Sequence, residues 1–225
     1  MPTSDSFNLS PIVSIVVNTA PRSILDVGCG FGKYGVLFRE YLDIWHERYQ
    51  KDEWQCRIVG VEAFGQYRNP IWEYVYDEVL VGRGQDVVPT LQETFDCVLI
   101  ADVIEHLELA EAKALVQACL EKCKMLIVST PKEFYAQHDI LGNEYEKHRC
   151  LWTAADYPPG THVLTIPALA CNIYLASRQP LDPKRFRPAD LSDFVYLRSR
   201  TKLRRAGVLG WPLSASVRFM CRLLA

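Results

Sequence analysis

Ile24-Leu25-Asp26-Val27-Gly28-Cys29-Gly30-Phe31-Gly32 decides the fold. An apolar run of strand length breaks into three alternating glycines. It then enters Lys33–Ile44, where Val36, Leu37, Tyr41 and Leu42 form a helical apolar stripe. Glycine lets the backbone turn sharply and lets a bound molecule approach with no Cβ in the way. The following helix turns its unpaired N–H groups toward the same place. Strand, glycine turn and helix in that order open a doubly wound α/β unit.

The same alternation continues outward. Strands are predicted at 57–61, 78–81, 95–101, 124–129, 162–166 and 172–177, with helices over Ile12–Thr19 and Glu108–Lys122. The expectation is a mostly parallel, seven-stranded doubly wound sheet. Trp45–Gln55 is a long connection, Pro131 stops the fifth strand, and Thr153 is placed to cap a short helix over Thr153–Asp156. Lys132–Leu151 reads as irregular.

Composition narrows the class. The chain has 225 residues, 49% hydrophobic and 23% charged, which is globular rather than disordered. No apolar run reaches the length of a membrane span, and Met1–Ser10 has no basic patch leading into an apolar stretch, so a cytoplasmic protein is expected. Eight cysteines without a CxxC pair read as reduced thiols.

Charge is segregated. Residues 1–177 carry 14 Lys+Arg against 24 Asp+Glu, and residues 178–225 carry 11 against 3. The chain therefore divides into a body, 1–177, and a basic C-terminal extension, 178–225. Within 198–224, five basic residues from Arg198 to Arg205 precede Val208, Leu209, Trp211 and Phe219. This suits peripheral contact with an anionic membrane, or a helix packed on the acidic body. Nucleic acid is disfavoured because no aromatic stacking platform accompanies the charge.

Two further acids stand where ligands of open α/β sheets bind. Glu62 closes Val59-Gly60-Val61-Glu62, where a carboxylate can accept both hydroxyls of a ribose. Asp102 follows the strand Phe95–Ala101 and opens Asp102-Val103-Ile104-Glu105-His106-Leu107. Gly30, Gly32 and Gly35 also satisfy G-x-G-x-x-G, so a nicotinamide-dependent oxidoreductase is an alternative, although Glu62 lies further downstream than that pattern's acid.

These motifs, in this order over roughly residues 20–177, resemble the class I S-adenosylmethionine-dependent methyltransferases, in the branch whose fourth motif is Asp-x-x-Glu-His-Leu. The resemblance implies that Asp26, Gly28, Gly30, Gly32 and Glu62 hold S-adenosylmethionine. It implies that Asp86 meets the adenine amino group with Val87 against the ring, and that Asp102 lies near the methionine part. Methyl transfer from a sulfonium needs mainly alignment, and a hydroxyl acceptor gains from a general base. His106 and His148 are the candidates, with a packing role for His106 and a solvated loop for His148 left open. Asn143-Glu144-Tyr145-Glu146-Lys147-His148, with Trp152-Thr153 behind it, looks like methyltransferases of sugars and surface glycans. Phe134, Tyr135 and Tyr145 could lie over such an acceptor.

A minority reading groups Asp102, Glu105, His106 and His148 as ligands for Mg²⁺ or Mn²⁺, which resembles the metal-dependent RNA 2′-O-methyltransferases. The expected activity is transfer of a methyl group to a hydroxyl of a small molecule, a glycan or a lipid-linked sugar. A non-catalytic adenosylmethionine-binding protein is the further alternative.

Overall fold

The computed structural model describes residues 3–139 and 142–186. The basic stretch and apolar end expected over 198–224 lie outside them. Among the described residues no helix is long and apolar enough to cross a membrane.

Seven strands form one sheet in the order β3-β2-β1-β4-β5-β7-β6. They are β1 Ser23–Val27, β2 Arg57–Glu62, β3 Glu78–Val81, β4 Phe95–Ala101, β5 Cys123–Pro131, β6 His162–Pro167 and β7 Cys171–Ser177. The first five pair in parallel; β7 runs antiparallel to β5 and to β6. The helices are α1 Leu9–Thr19, α2 Lys33–Leu42, α3 Pro70–Val75, α4 Gly84–Val87 and α5 Leu109–Lys122.

Side chains of a strand alternate between the two faces of a sheet. Ile24, Ile58, Cys97, Leu99 and Ile127 join one core with α1, α2 and α3. Leu25, Val59, Val98, Ile100 and Val128 join a second core with α5 and Trp152. Burial on both faces makes the central strands mostly apolar, interrupted by Asp26 in β1 and Asp96 in β4.

The α2 stripe is corrected. The buried face is Tyr34, Phe38 and Leu42, while Val36 and Tyr41 are exposed. The face rotates because Arg39 is also buried: its guanidinium donates to Asp43, to the carbonyls of Val75 and Cys56, and stacks on Trp54. A fully partnered guanidinium tolerates burial. Helix α2 also ends at Leu42, and Pro131 is the last residue of β5 rather than a stop before it. The body continues past the expected boundary at 177 through a 3-10 turn, Pro183–Phe186, whose Phe186 is buried in the first core. The seven described cysteines are free thiols.

Strand order reverses direction between β1 and β4. Connections from β1 lead outward to β2 and β3, whereas β4 lies on the other side of β1. Loops after the two strands diverge there and leave a crevice at the carboxyl ends.

Candidate active site

A cleft of about 830 Å³ occupies that crevice. Its floor is the glycine turn. Gly28 and Gly30 have φ of +76° and +52°, and both line the cleft. A Cβ on Gly28 would lie 2.3 Å from Val103 Cγ2, so backbone is all that fits. Gly32, at φ +93°, is the N-cap of α2 and does not line the cleft; a Cβ there would meet Ile71. Its part is to make the turn.

Glu62 lines the cleft, nearly buried. Its Oε2 accepts the Gly30 N–H at 2.8 Å and its Oε1 accepts the Phe64 N–H at 2.8 Å. Burial pushes its pKa up, and these N–H donors oppose the rise. A carboxylate accepts about four hydrogen bonds, so lone pairs remain for a diol.

Three expected cofactor residues stand elsewhere. Asp26 is buried behind the glycine turn and outside the cleft, accepting the Tyr76 hydroxyl at 2.7 Å. It shares strand parity with Ile24, which sends its side chain toward the α2–α3 layer. Burial raises its pKa to about 7. Asp86 is exposed on the outer side of α4 and ion-paired with Arg83 at 2.8 Å. Val87 packs against the second core, and neither residue lines the cleft. Gly82, Gly84 and Gln85 line that end instead.

Beyond β4 the chain does not form the helix that would stack Asp102, Glu105 and His106 on one face. Asp102 has φ +53°, and only a 3-10 turn, Ile104–His106, follows. Asp102 lines the cleft but its carboxylate is engaged: it accepts from the Asp5 N–H, Asn8 Nδ2 and Ser129 Oγ. Glu105 lines the same cleft and is buried, with Oε2 accepting from Thr130.

The 143–150 segment brings His148 to His106. The Arg149 and Cys150 N–H groups both donate to the Glu105 carbonyl, at 2.7 and 3.1 Å. The two imidazoles then lie edge to face, 4.9 Å between centroids, with Tyr135 4.4 Å beyond His148. His106 Nδ1 is 3.3 Å from the Lys147 carbonyl and His148 Nδ1 is 3.0 Å from that of Tyr135. A carbonyl only accepts, so each Nδ1 is the donor in its contact, and the His106 ring is also hydrogen-bonded to the backbone of Asp102. Burial lowers both pKa values, which favours the neutral rings.

One ligand atom from each of Glu105, His106 and His148 lies within 4.8 Å of the others. Asp102 is absent from that group, which corrects the four-residue set. Burial, with the charge of Asp102 next, pushes the Glu105 pKa well up.

Sequence reasoning missed a third set. The Tyr67 hydroxyl donates to Glu146 Oε1 at 2.8 Å, and Asn143 Nδ2 donates to the Tyr67 oxygen at 3.0 Å. Tyr67 packs between Phe31 and Phe64. Glu146 stands close enough to Glu62 for its charge to help raise the Glu62 pKa. No spacing announces a contact between residues this far apart in the chain. Of the aromatic residues expected over an acceptor, Tyr135 and Tyr145 line the cleft and Phe134 does not.

No family model matches the sequence, and no curated protein matches it. Solved structures do. An O-methyltransferase family protein from Burkholderia thailandensis is 11% identical with a TM-score of 0.53, over 78% of this chain and 56% of that one. The N-terminal domain of EvdMO1, with S-adenosylhomocysteine and D-fucose, is 14% identical with a TM-score of 0.51, over 76% and 83%. Magnesium protoporphyrin IX methyltransferase from Synechocystis, with bound S-adenosylmethionine, is 16% identical with a TM-score of 0.50, over 76% and 78%. The chain spans little more than half the length of the Burkholderia protein and of a similar O-methyltransferase from Nostoc punctiforme. Strand order, antiparallel β7 and these likenesses agree: the chain has the Rossmann-like fold of the class I S-adenosylmethionine-dependent methyltransferases.

Proposed function

We propose that the chain transfers a methyl group from S-adenosylmethionine to a hydroxyl of a small polyhydroxylated acceptor, a sugar or sugar-bearing metabolite. The observation that carries this is Glu62: a nearly buried carboxylate facing the cleft, locked to the Gly30 N–H of a turn that only glycine can make. It fits a ribose diol lying on bare backbone.

S-adenosylmethionine, when bound, supplies an electrophilic methyl group that is already activated. The protein's work is placement and proton removal. Glu62 would accept the ribose hydroxyls, and Gly82, Gly84 and Gln85 would border the adenine. His106 and His148 also line the cleft, and one of these imidazoles would take the acceptor proton as the oxygen–methyl bond forms and the sulfur–methyl bond breaks, leaving S-adenosylhomocysteine. Correct alignment is worth up to about 7–11 kcal/mol and a base about 10²–10⁴-fold. Tyr135 and Tyr145 offer apolar faces, and Asn143 and Glu146 offer polar edges, which suits a sugar ring. The neighbour crystallised with D-fucose supports that acceptor class.

Calorimetry with S-adenosylhomocysteine and with NAD⁺ tests the reading. Micromolar binding of the first and none of the second is expected; the reverse returns the chain to the oxidoreductase alternative.

A divalent cation at Glu105, His106 and His148 is a second reading, favoured by their convergence and by both Nδ1 atoms being tied to carbonyls, the usual support for Nε2 ligation. With Asp102 engaged elsewhere the set is two nitrogens and one oxygen. That suits Mn²⁺ better than Mg²⁺, which prefers all-oxygen sites. Titration of Mn²⁺ into the protein and into His148→Ala decides it: equal heats for the two remove the cation.

The basic residues of 198–224 would hold the protein to anionic membranes. Co-sedimentation with phosphatidylserine vesicles, lost on truncation at 190 and weakened by salt, is the expected result.

A further inference from the structure

Strand order sets the direction in which a donor lies. With ribose at Glu62 after β2 and adenine at Gly82–Gln85 after β3, the rest of the molecule crosses the glycine turn after β1 and ends at β4. A segment that no motif included stands at that end. Thr3, Ser4, Asp5, Ser6 and Phe7 all line the cleft.

The segment is tied to both walls. On the β4 side the Asp5 N–H donates to Asp102 Oδ2 at 2.9 Å, and Asn8 Nδ2 reaches both carboxylate oxygens at 3.3 Å. Ser129 Oγ donates to Asp102 Oδ1 at 2.7 Å and orients the carboxylate from behind. On the α2 side Lys33 Nζ donates to the Ser4 carbonyl at 2.6 Å. Apolar packing contributes little, since Phe7 is 58% exposed. A segment held by a few polar contacts at a cleft mouth opens far more readily than the sheet beneath it. Asp102 meanwhile keeps a left-handed backbone, tolerable for Asp and held by the contacts around it.

We propose that Thr3–Asn8 is a strap closing over the methionine end of the donor, and that its latch on Asp102 sets how fast donor and product exchange. This rests on the reading of the cleft as a donor site. Asp102 is then a positioning residue that acts through the strap.

The test uses the full chain and S-adenosylhomocysteine as probe. Asp5 has φ −59°, which proline adopts, so Asp5→Pro deletes the latch N–H at little local strain. Asp5→Ala keeps that N–H and loses only the side-chain bond to the Phe7 N–H. Asp102→Asn tolerates the left-handed backbone and can still turn its amide oxygen to the Asp5 N–H and its NH₂ to Ser129 Oγ, so it removes the charge of the latch and keeps its acceptor.

Stopped-flow release of S-adenosylhomocysteine is expected to be at least fivefold faster in Asp5→Pro, with Asp102→Asn between it and wild type and Asp5→Ala close to wild type. Hydrogen exchange at the Asn8 amide, which bonds the Asp5 carbonyl, should rise in Asp5→Pro above its rate in Asp5→Ala while the β4 amides stay protected. Wild-type release rates in Asp5→Pro would overturn the strap alone. Absence of binding to the wild-type protein in calorimetry would overturn the donor reading and the strap with it, a result seen before any variant is made.

Discussion

Glu62 and Asp26 are both acids near the end of a central strand, and their surroundings divide their tasks. Glu62→Ala removes the acceptor for the ribose and for the Gly30 N–H, and is expected to weaken S-adenosylhomocysteine binding tenfold or more by calorimetry. Asp26→Asn should leave that affinity within about threefold, because its carboxylate faces Tyr76. Its effect belongs to stability. Burial raises the folded pKa to about 7 from an ordinary 3.8. Between those values the folded state keeps a proton that the unfolded state has released. The contribution of Asp26 to stability is therefore greatest below about pH 4, falls as pH rises toward 7, and levels off above. Asparagine keeps an acceptor for Tyr76 and carries no charge, so the variant's melting temperature should gain on wild type from pH 5 to pH 8. The gap is at most a few kcal/mol, one pKa unit being about 1.4 kcal/mol. Glu62 was legible as a strand-end acid. Asp26 was not distinguished from it, although its shared parity with Ile24 already pointed toward the helical layer.

The glycine turn succeeds as an element because Val103 crosses over it. Gly28→Ala combines a side chain at φ +76° with a Cβ 2.3 Å from Val103 Cγ2. Left-handed strain of about 1–2 kcal/mol and overpacking of about 1–3 kcal/mol add. At roughly 2–4 °C per kcal/mol for a chain of this size, melting should fall by about 5–15 °C, with donor binding lost. Adding Val103→Ala should recover part of the stability. The strands were legible nearly to the residue because each is an apolar run closed by a turn signal. Helix α2 was not: its stripe was read from apolar residues alone, whereas a buried Arg39 satisfied by Asp43, Val75 and Cys56 turned the face. The 143–150 segment was illegible in register, because it is pinned by the backbone carbonyl of Glu105, a group every residue possesses.

Across the whole molecule the cleft draws on chain from Thr3 to Cys171, so one ligand adds to the few polar contacts that already join those segments. Binding to the folded state alone stabilises it by mass action, about 2.7 kcal/mol at a hundred times Kd. For a chain of this size that corresponds to roughly 5–10 °C. Under the proposed function Glu62 serves the donor and the imidazoles serve the acceptor, and their losses should separate accordingly. Glu62→Ala should abolish the thermal shift by S-adenosylhomocysteine. His148→Ala should keep that shift in full and lose at least tenfold in turnover with a sugar acceptor, and His106→Ala should behave alike if the two imidazoles act together. A His148→Ala protein that also lost the shift would place this histidine in donor binding. The division of tasks between Glu62 and the imidazoles would then be wrong.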